Sequence, residues 1–142
     1  MIILDTNVLS AMMRRESDAA MVAWLDRHSI DELWTTTITI FEITFGLELL
    51  PAGARRRSLQ AAFKRFVEED LDDRILIFDA AAASRAGALA ARRRTRGRPM
   101  EIRDAQIAGI VAENDATLST RNLRDFDGLG ISLVDPWTDA PT

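Results

Sequence analysis

Met1-Ile2-Ile3-Leu4-Asp5-Thr6-Asn7 opens the chain with an apolar run, a carboxylate and a helix-starting pair. A short continuous apolar run bounded by such signals fits a strand buried on both faces. The strand spans Ile2 to Asp5, and Asn7 or Thr6 caps a short helix through Met13. Asp5 therefore stands at the carboxyl end of a buried strand, which is where ligands bind in open α/β sheets. A carboxylate taken out of water is costly unless something pairs with it. What pairs with Asp5 is the question the other residues must answer.

Further apolar runs alternate with helical patterns, which points to an α/β fold with a mainly parallel sheet flanked by helices. Leu33 to Thr36, Ile75 to Phe78, Ala116 to Thr120 and Ile131 to Val134 read as the other strands. Helices are expected from Asp18 to His28, from Thr39 to about Leu50 and from Ala54 to Val67. Two more run from Ala80 to Ala91, after Asp79 as N-cap, and from Ile102 to Glu113. Thr39-Ile40-Phe41-Glu42 has capping-box spacing, and Glu68 to Asp73 reads as a solvated acidic loop. The alanine-rich segment after Asp79, with Gly87, suits a helix that packs closely on a neighbour. The 142 residues carry no internal repeat and no long linker, so a single domain is expected.

Composition narrows the chemistry. Cysteine is absent, which removes thiolate metal sites, and with His28 the only histidine a zinc site built on imidazoles is not expected. Any metal would be held by oxygen. The lack of cysteine fits a reducing, cytoplasmic setting, and no stretch reaches the ~20 apolar residues of a membrane span. The formal charge of −4 is the wrong sign for a generic nucleic-acid binder.

Three more acids stand where they can join Asp5. Glu42 lies beside the stripe Ile40, Ile43, Leu47 and Leu50, with Gly46 one turn on. It either serves a site there or only completes a capping box with Thr39. Asp104 precedes Ile107, Ala108 and Val111 by three, four and seven positions, so it shares their inward face. Glu101 is a weaker candidate, better read as solvated. After the strand ending at Thr120, the residues Thr120, Asn122 and Asp125 approach Asp5 if that strand lies beside the first. Asp125 and Asp127 are equally readable as turn residues. Converging carboxylates without histidine or cysteine make a site for a hard cation, Mg²⁺ or Mn²⁺. Such ions serve phosphodiester hydrolysis by in-line displacement.

Asp5-Thr6-Asn7, Thr39-x-x-Glu42-x-x-x-Gly46, Arg103-Asp104-Ala105-x-Ile107-Ala108 and Thr120-Arg121-Asn122-x-x-Asp125-Phe126 together resemble PIN-domain ribonucleases. The resemblance is to the VapC-type branch, including FitB-like toxins of toxin–antitoxin systems, and it spans essentially the whole chain. Leu133-Val134-Asp135-Pro136-Trp137 is similar to the branch's usual ending. The resemblance implies a three-layer α/β/α sandwich that cleaves single-stranded or looped RNA with Mg²⁺ or Mn²⁺. Asp5, Glu42 and Asp104 match its metal-binding acidic triad. Asn122 stands where some members have Asp, so either Asp125 or the Asn122 amide fills the fourth position. Thr6, Asn7, Thr120 and Asn122 take substrate-positioning roles. A homodimer and a cognate antitoxin partner are implied as well.

Two divalent ions in the site would offset the formal charge. Arg92, Arg93, Arg94, Arg96 and Arg98 crowd into seven residues before Asp104. They are candidates for contact with RNA or with an acidic antitoxin segment, beside the alternative of a merely solvated face. Trp24, Trp34 and Trp137 are assigned to packing. A catalytically weakened binding module is the main rival reading, and Asn122 is its basis. An aspartyl-phosphate phosphatase would want a second Asp where Asn7 stands.

Overall fold

In the computed structural model, which describes residues 1–13 and 18–139, the opening run forms β1 (Ile2–Leu4) at the centre of a five-stranded sheet. On its two sides lie β2 (Leu33–Thr36) and β4 (Thr117–Ser119), flanked by β3 (Ile75–Leu76) and β5 (Ser132–Val134). The order is β3-β2-β1-β4-β5, and every pairing is parallel. The register sets Ile3 between Trp34 and Leu118.

Successive strand side chains face opposite sides of a sheet, and β1 uses both. Ile3 enters a core with Leu118, Ile107, Ile110 and Val111. That side is covered by α5 (Ala80–Thr95) and α6 (Ile102–Glu113). Leu4 enters a second core with Val8, Trp24, Ile43 and Phe63. This other layer holds α1 (Thr6–Met12), α2 (Ala19–Asp26), α3 (Thr37–Glu48) and α4 (Ala54–Arg65). The arrangement is the expected three-layer α/β/α sandwich with a parallel sheet. No helix among the described residues is long and apolar enough to cross a membrane.

Several local expectations change. Asp5 itself, not Thr6 or Asn7, is the N-cap of α1, and its Oδ1 accepts the Thr6 N–H at 2.8 Å. The helix after β2 starts at Thr37, because the Thr36 hydroxyl accepts the Thr39 N–H at 3.1 Å. Glu42 thus closes no capping box with Thr39; a box carboxylate is found at Glu32, which accepts the Ser29 N–H at 3.0 Å. The acidic stretch is no simple loop: Phe66–Asp70 continues α4 as a π-helical turn, and Leu71 behind it is fully buried. The third strand shortens to two residues, and α5 runs on past Ala91 to Thr95. Asp79 caps α5 as expected, accepting the Ala82 N–H at 2.8 Å.

The close helix approach sits at Gly109 of α6 rather than at Gly87. A Cβ on Gly109 would come within 2.7 Å of the Ala86 Cβ and nearer still to the Ala82 carbonyl oxygen. A Cβ on Gly87 would meet nothing within 4 Å. The alanines of α5 remain essential, since they are the surface on which Gly109 rests.

Candidate active site

Each acid is delivered by a different element. Asp5 follows β1; its Oδ2 accepts the Thr120 hydroxyl at 2.7 Å, and its Oδ1 serves the α1 cap. Thr120 is placed by β4, which does lie beside β1, and its N–H reaches the Val134 carbonyl at 2.9 Å. Glu42 sits half-buried in the second turn of α3. Asp104 stands in the first turn of α6, where helix dipole and exposed N–H groups favour a negative charge. The N-cap there is Glu101, which accepts the N–H groups of Arg103 at 2.9 Å and Asp104 at 3.2 Å. Glu101 therefore does more than sit in solvent: it positions the helix end that carries Asp104.

Asp5, Glu42 and Asp104 line one cavity of about 600 Å³, together with Thr6, Asn7 and Asn122. Asp18, Ser10, Arg121 and Trp137 also line it, and none of these four was expected in the site. Asp5 is 6% exposed, and burial pushes its carboxyl above the usual range. Hydrogen bonds from Thr120 and Thr6 oppose that push, while the Asp125 charge adds to it. Glu42 is raised by burial, against the lowering effect of the Arg103 guanidinium. Asp104 is pushed up to about 7, first by burial and then by the charges of Asp5, Asp125, Glu101 and Glu42. Several carboxylates thus repel one another within reach of a common space.

The fourth position is divided. Asn122 lies in the cavity wall, and its N–H donates to the Thr120 hydroxyl at 3.1 Å. Asp125 is exposed on the 3₁₀ turn Leu123–Phe126 outside the lining, but its charge reaches both Asp5 and Asp104. Gly46 provides room rather than a backbone contact: a Cβ there meets nothing within 4 Å, and a smaller cavity beside Glu42 includes it.

The arginine cluster separates. Arg93 is 6% exposed, and its guanidinium donates to the carbonyls of Arg98 at 3.1 Å, Asp125 at 3.2 Å and Asp127 at 2.8 Å. Contrary to expectation it is a buried clamp on the turn that carries Asp125, with its Nε and Nη1 donors committed to backbone carbonyls. Arg92 donates to the Leu129 carbonyl at 3.1 Å, and Arg98 pairs with Asp127 at 3.7 Å. Arg92, Arg94, Arg96 and Arg98 keep exposed positions. Hydrogen bonds from a charged donor are worth about 1.5–3 kcal/mol each. Arg93→Ala is therefore expected to lower the unfolding free energy by about 2–4 kcal/mol, and urea unfolding checks it. A variant as stable as the parent would contradict the clamp.

Packing holds for Trp24, which is fully buried with Nε1 donating to Asp139 at 3.0 Å, and for half-buried Trp34. Trp137 packs against the second core as well, and it also stands half-buried at the cavity wall, with the Arg121 guanidinium carbon 4.5 Å from its ring centroid. The signal was its place just beyond β5, at the same end of the sheet as Asp5.

Oxygen is the only ligand type among the converging side chains, which suits a hard cation. The buried Thr6 hydroxyl makes no well-formed hydrogen bond among the described residues, lies near enough to Glu42 to lower its carboxyl, and lines the same cavity. No group of three or more acidic or histidine side chains among them is drawn close enough to hold an ion unaided. Water or phosphate oxygens would complete the shell, which is the usual habit of Mg²⁺. The residues fit such an ion on those terms.

A parallel sheet with mutually repelling carboxylates at its carboxyl edge defines an α/β/α protein built around an acidic, cation-attracting cavity. The PIN domain family profile matches residues 2–130. Plasmid stability protein StbB of Pseudomonas syringae pv. tomato is 35% identical over 96% of this chain and 99% of its own. VapC ribonuclease Y4jK of Sinorhizobium fredii is 35% identical over 99% and 100%, and Toxin FitB of Neisseria gonorrhoeae 29% over 98% and 100%. A solved structure of FitAB bound to an IR36 DNA fragment superposes with a TM-score of 0.90 at 28% identity, covering 99% of both chains. The chain belongs to the PIN domain family and is of the VapC type.

Proposed function

We propose that the protein is an endoribonuclease toxin that hydrolyses RNA phosphodiester bonds with Mg²⁺ or Mn²⁺ and is neutralised by a cognate antitoxin. The observation that carries the reading is the convergence of Asp5, Glu42 and Asp104 on one cavity, with burial and mutual repulsion raising all three. An ion bound there supplies activation of water and stabilisation of the leaving oxygen. Asp5 and Asp104 are the proposed first ligands, with Glu42 beside them. Thr120 and Thr6 hold the Asp5 carboxylate in place through the two hydrogen bonds described. Thr6, Asn7 and Asn122 line the space a phosphodiester would enter, and they are proposed to orient it. The names of the relatives Y4jK and FitB support the ribonuclease and toxin parts of the reading.

Purified protein incubated with single-stranded RNAs is expected to cut them with Mg²⁺ or Mn²⁺ and to stop on chelation. Cleavage that persists in chelator, or in Asp5→Ala, would sink the proposal. A binding module without turnover is the rival, favoured only by Asn122 in the cavity wall. Asn122→Asp distinguishes them. A further acid is expected to lower the Mg²⁺ concentration needed for half-maximal cleavage by about ten-fold, the lower end of the effect of single groups around a metal site. An unchanged metal requirement would remove position 122 from the ligand set.

For the partners, we propose a homodimer that covers an apolar stripe on α3. Phe41 and Phe45 are more than half exposed with rings stacked 6.0 Å apart, and Leu49 follows one turn later. Exposed apolar patches of this kind mark interaction surfaces. A cytoplasmic location is proposed with the RNA substrate.

A further inference from the structure

Resting on the nuclease reading, we infer that Arg121 is a phosphate-binding residue that guides single-stranded RNA into the acidic cavity, with Trp137 fixing its guanidinium in place. The cavity poses an electrostatic problem. Asp5, Asp18, Glu42 and Asp104 line it, and each repels an entering phosphodiester. Arg121 is the cation among its described lining residues.

Arg121 combines the lack of an ion pair with a place in the cavity wall. Arg27, Arg56, Arg74, Arg85, Arg98 and Arg103 each form an ion pair with an acid; Arg121, like Arg94, Arg96 and Arg124, forms none among the described residues, but it is the one of these that lines the acidic cavity. Its guanidinium lies over an aromatic ring although four carboxylates line the same cavity. A cation–π contact uses the face of the guanidinium and leaves its N–H edges for an anion. Those edges match phosphate in the bidentate manner that lysine cannot reproduce.

Both halves of the pair are anchored. The Arg121 backbone N–H donates to the Asn7 Oδ1 at 3.4 Å, one residue from the Thr120 hydroxyl that holds Asp5. Trp137 sits in a turn whose N–H bonds Asp135 at 2.9 Å. Two residues on, the Asp139 carboxylate accepts the Trp24 indole N–H at 3.0 Å and pairs with Arg27 at 3.2 Å. The C-terminal turn is thus tied to α2, and the ring is presented to Arg121 from a fixed base.

The test is steady-state cleavage of a labelled, mixed-sequence single-stranded RNA with Mn²⁺, at several salt concentrations, with anisotropy binding of the uncut RNA. Arg121→Ala is expected to raise KM about ten-fold with kcat nearly unchanged, the mark of uniform substrate binding. The slope of log KM against log salt should fall by about 0.7, the share of one phosphate contact on a single strand. Arg121→Lys should recover only part of the loss. Trp137→Leu, its folding checked by thermal melting, should move KM in the same direction by releasing the guanidinium. Trp137→Phe, which keeps a ring, should move it less.

An Arg121→Ala enzyme with parental KM and salt slope overturns the inference, as does one that loses only antitoxin binding. A parent protein that neither binds nor cuts RNA overturns the nuclease reading itself, so the two failures are distinguishable.

Discussion

Asp104→Asn is expected to cut RNA cleavage sharply and, in the absence of divalent cations, to melt at a higher temperature than the parent. Both effects have one cause. The Asp104 carboxyl is pushed up to about 7 by burial and by the charges of Asp5, Asp125, Glu101 and Glu42. In the unfolded chain it returns to near its ordinary value of 3.8. Because the folded value is the higher one, the stabilising proton is fully in place below about 4. That stability is lost as pH rises through about 7. The metal-free parent should therefore weaken between about pH 4 and 7, and the Asn variant should lack this part of the slope. At pH 8 the variant stands furthest above the parent.

Cleavage should fall on the order of 10³-fold, the scale on which a group that organises transition-state charge is missed. Divalent cations sharpen the contrast. Mg²⁺ or Mn²⁺ should raise the melting temperature of the parent, because a ligand of the folded state adds stability by mass action. The variant should respond little. Melting curves at pH 5 and 8, with and without Mn²⁺, decide the matter. An Asn variant less stable than the metal-free parent at pH 8 would show that Asp104 is a structural acid.

Gly109→Ala is the largest expected effect on folding from the smallest change. The added methyl would stand 2.8 Å from the Ala86 backbone nitrogen and closer to the Ala82 carbonyl. Backbone cannot rotate away as a side chain can, so α5 and α6 must part. Overpacking of this kind costs about 1–3 kcal/mol and sometimes more. Alanine's better helix propensity returns at most about 1 kcal/mol. A net loss is expected in denaturant unfolding, and Gly109→Leu should leave no cooperatively folded protein. An Ala variant equal to the parent would mean that the helices are not held at this separation. Since Asp104 rides on α6, any surviving Gly109→Ala protein should also bind Mn²⁺ more weakly.

The sandwich was legible because its controlling signals are local. Ile2 to Leu4 is apolar on both faces, Asp79 has a free choice of cap, and Asp104 shares a side with Ile107 and Val111. Those features survive any packing of the rest. The cap of α3 was not legible, since Thr36 and Thr39 have the same hydroxyl. The point where β2 leaves the sheet decides between them. Arg93 was equally hidden: Arg92 to Arg94 have one local chemistry. Only the continuation of α5 to Thr95 and the arrival of residues 125–127 make the middle one a buried clamp. The Arg121–Trp137 contact joins residues from two different strand ends, and no spacing rule could announce it.

The convergence of three acids was legible residue by residue, and the shape of the cavity was not. Asp5, Glu42 and Asp104 were singled out from their places on a strand and two helices, and the structure brings them to one cavity. The fourth acid stayed ambiguous because Asn122 enters the wall while Asp125 acts from outside it. Sequence order shows which side chains are near a strand end, but not which of two neighbours turns inward.

Helix α5 has no residue in the cavity lining, yet it carries the two seats against which charges in and beside the cavity are aligned. Near its start the alanine surface sets the depth of α6 and so of Asp104. Near its far end Arg93 grips the carbonyls of Asp125 and Asp127. The helix works as a gauge bar: its length fixes one dimension of the charge pattern, whatever the side chains facing solvent. Lengthening or shortening it by one residue would swing these two seats about 100° out of phase, the angle per residue of an α-helix. Surface substitutions along α5 are then free to drift, while its residue count is not.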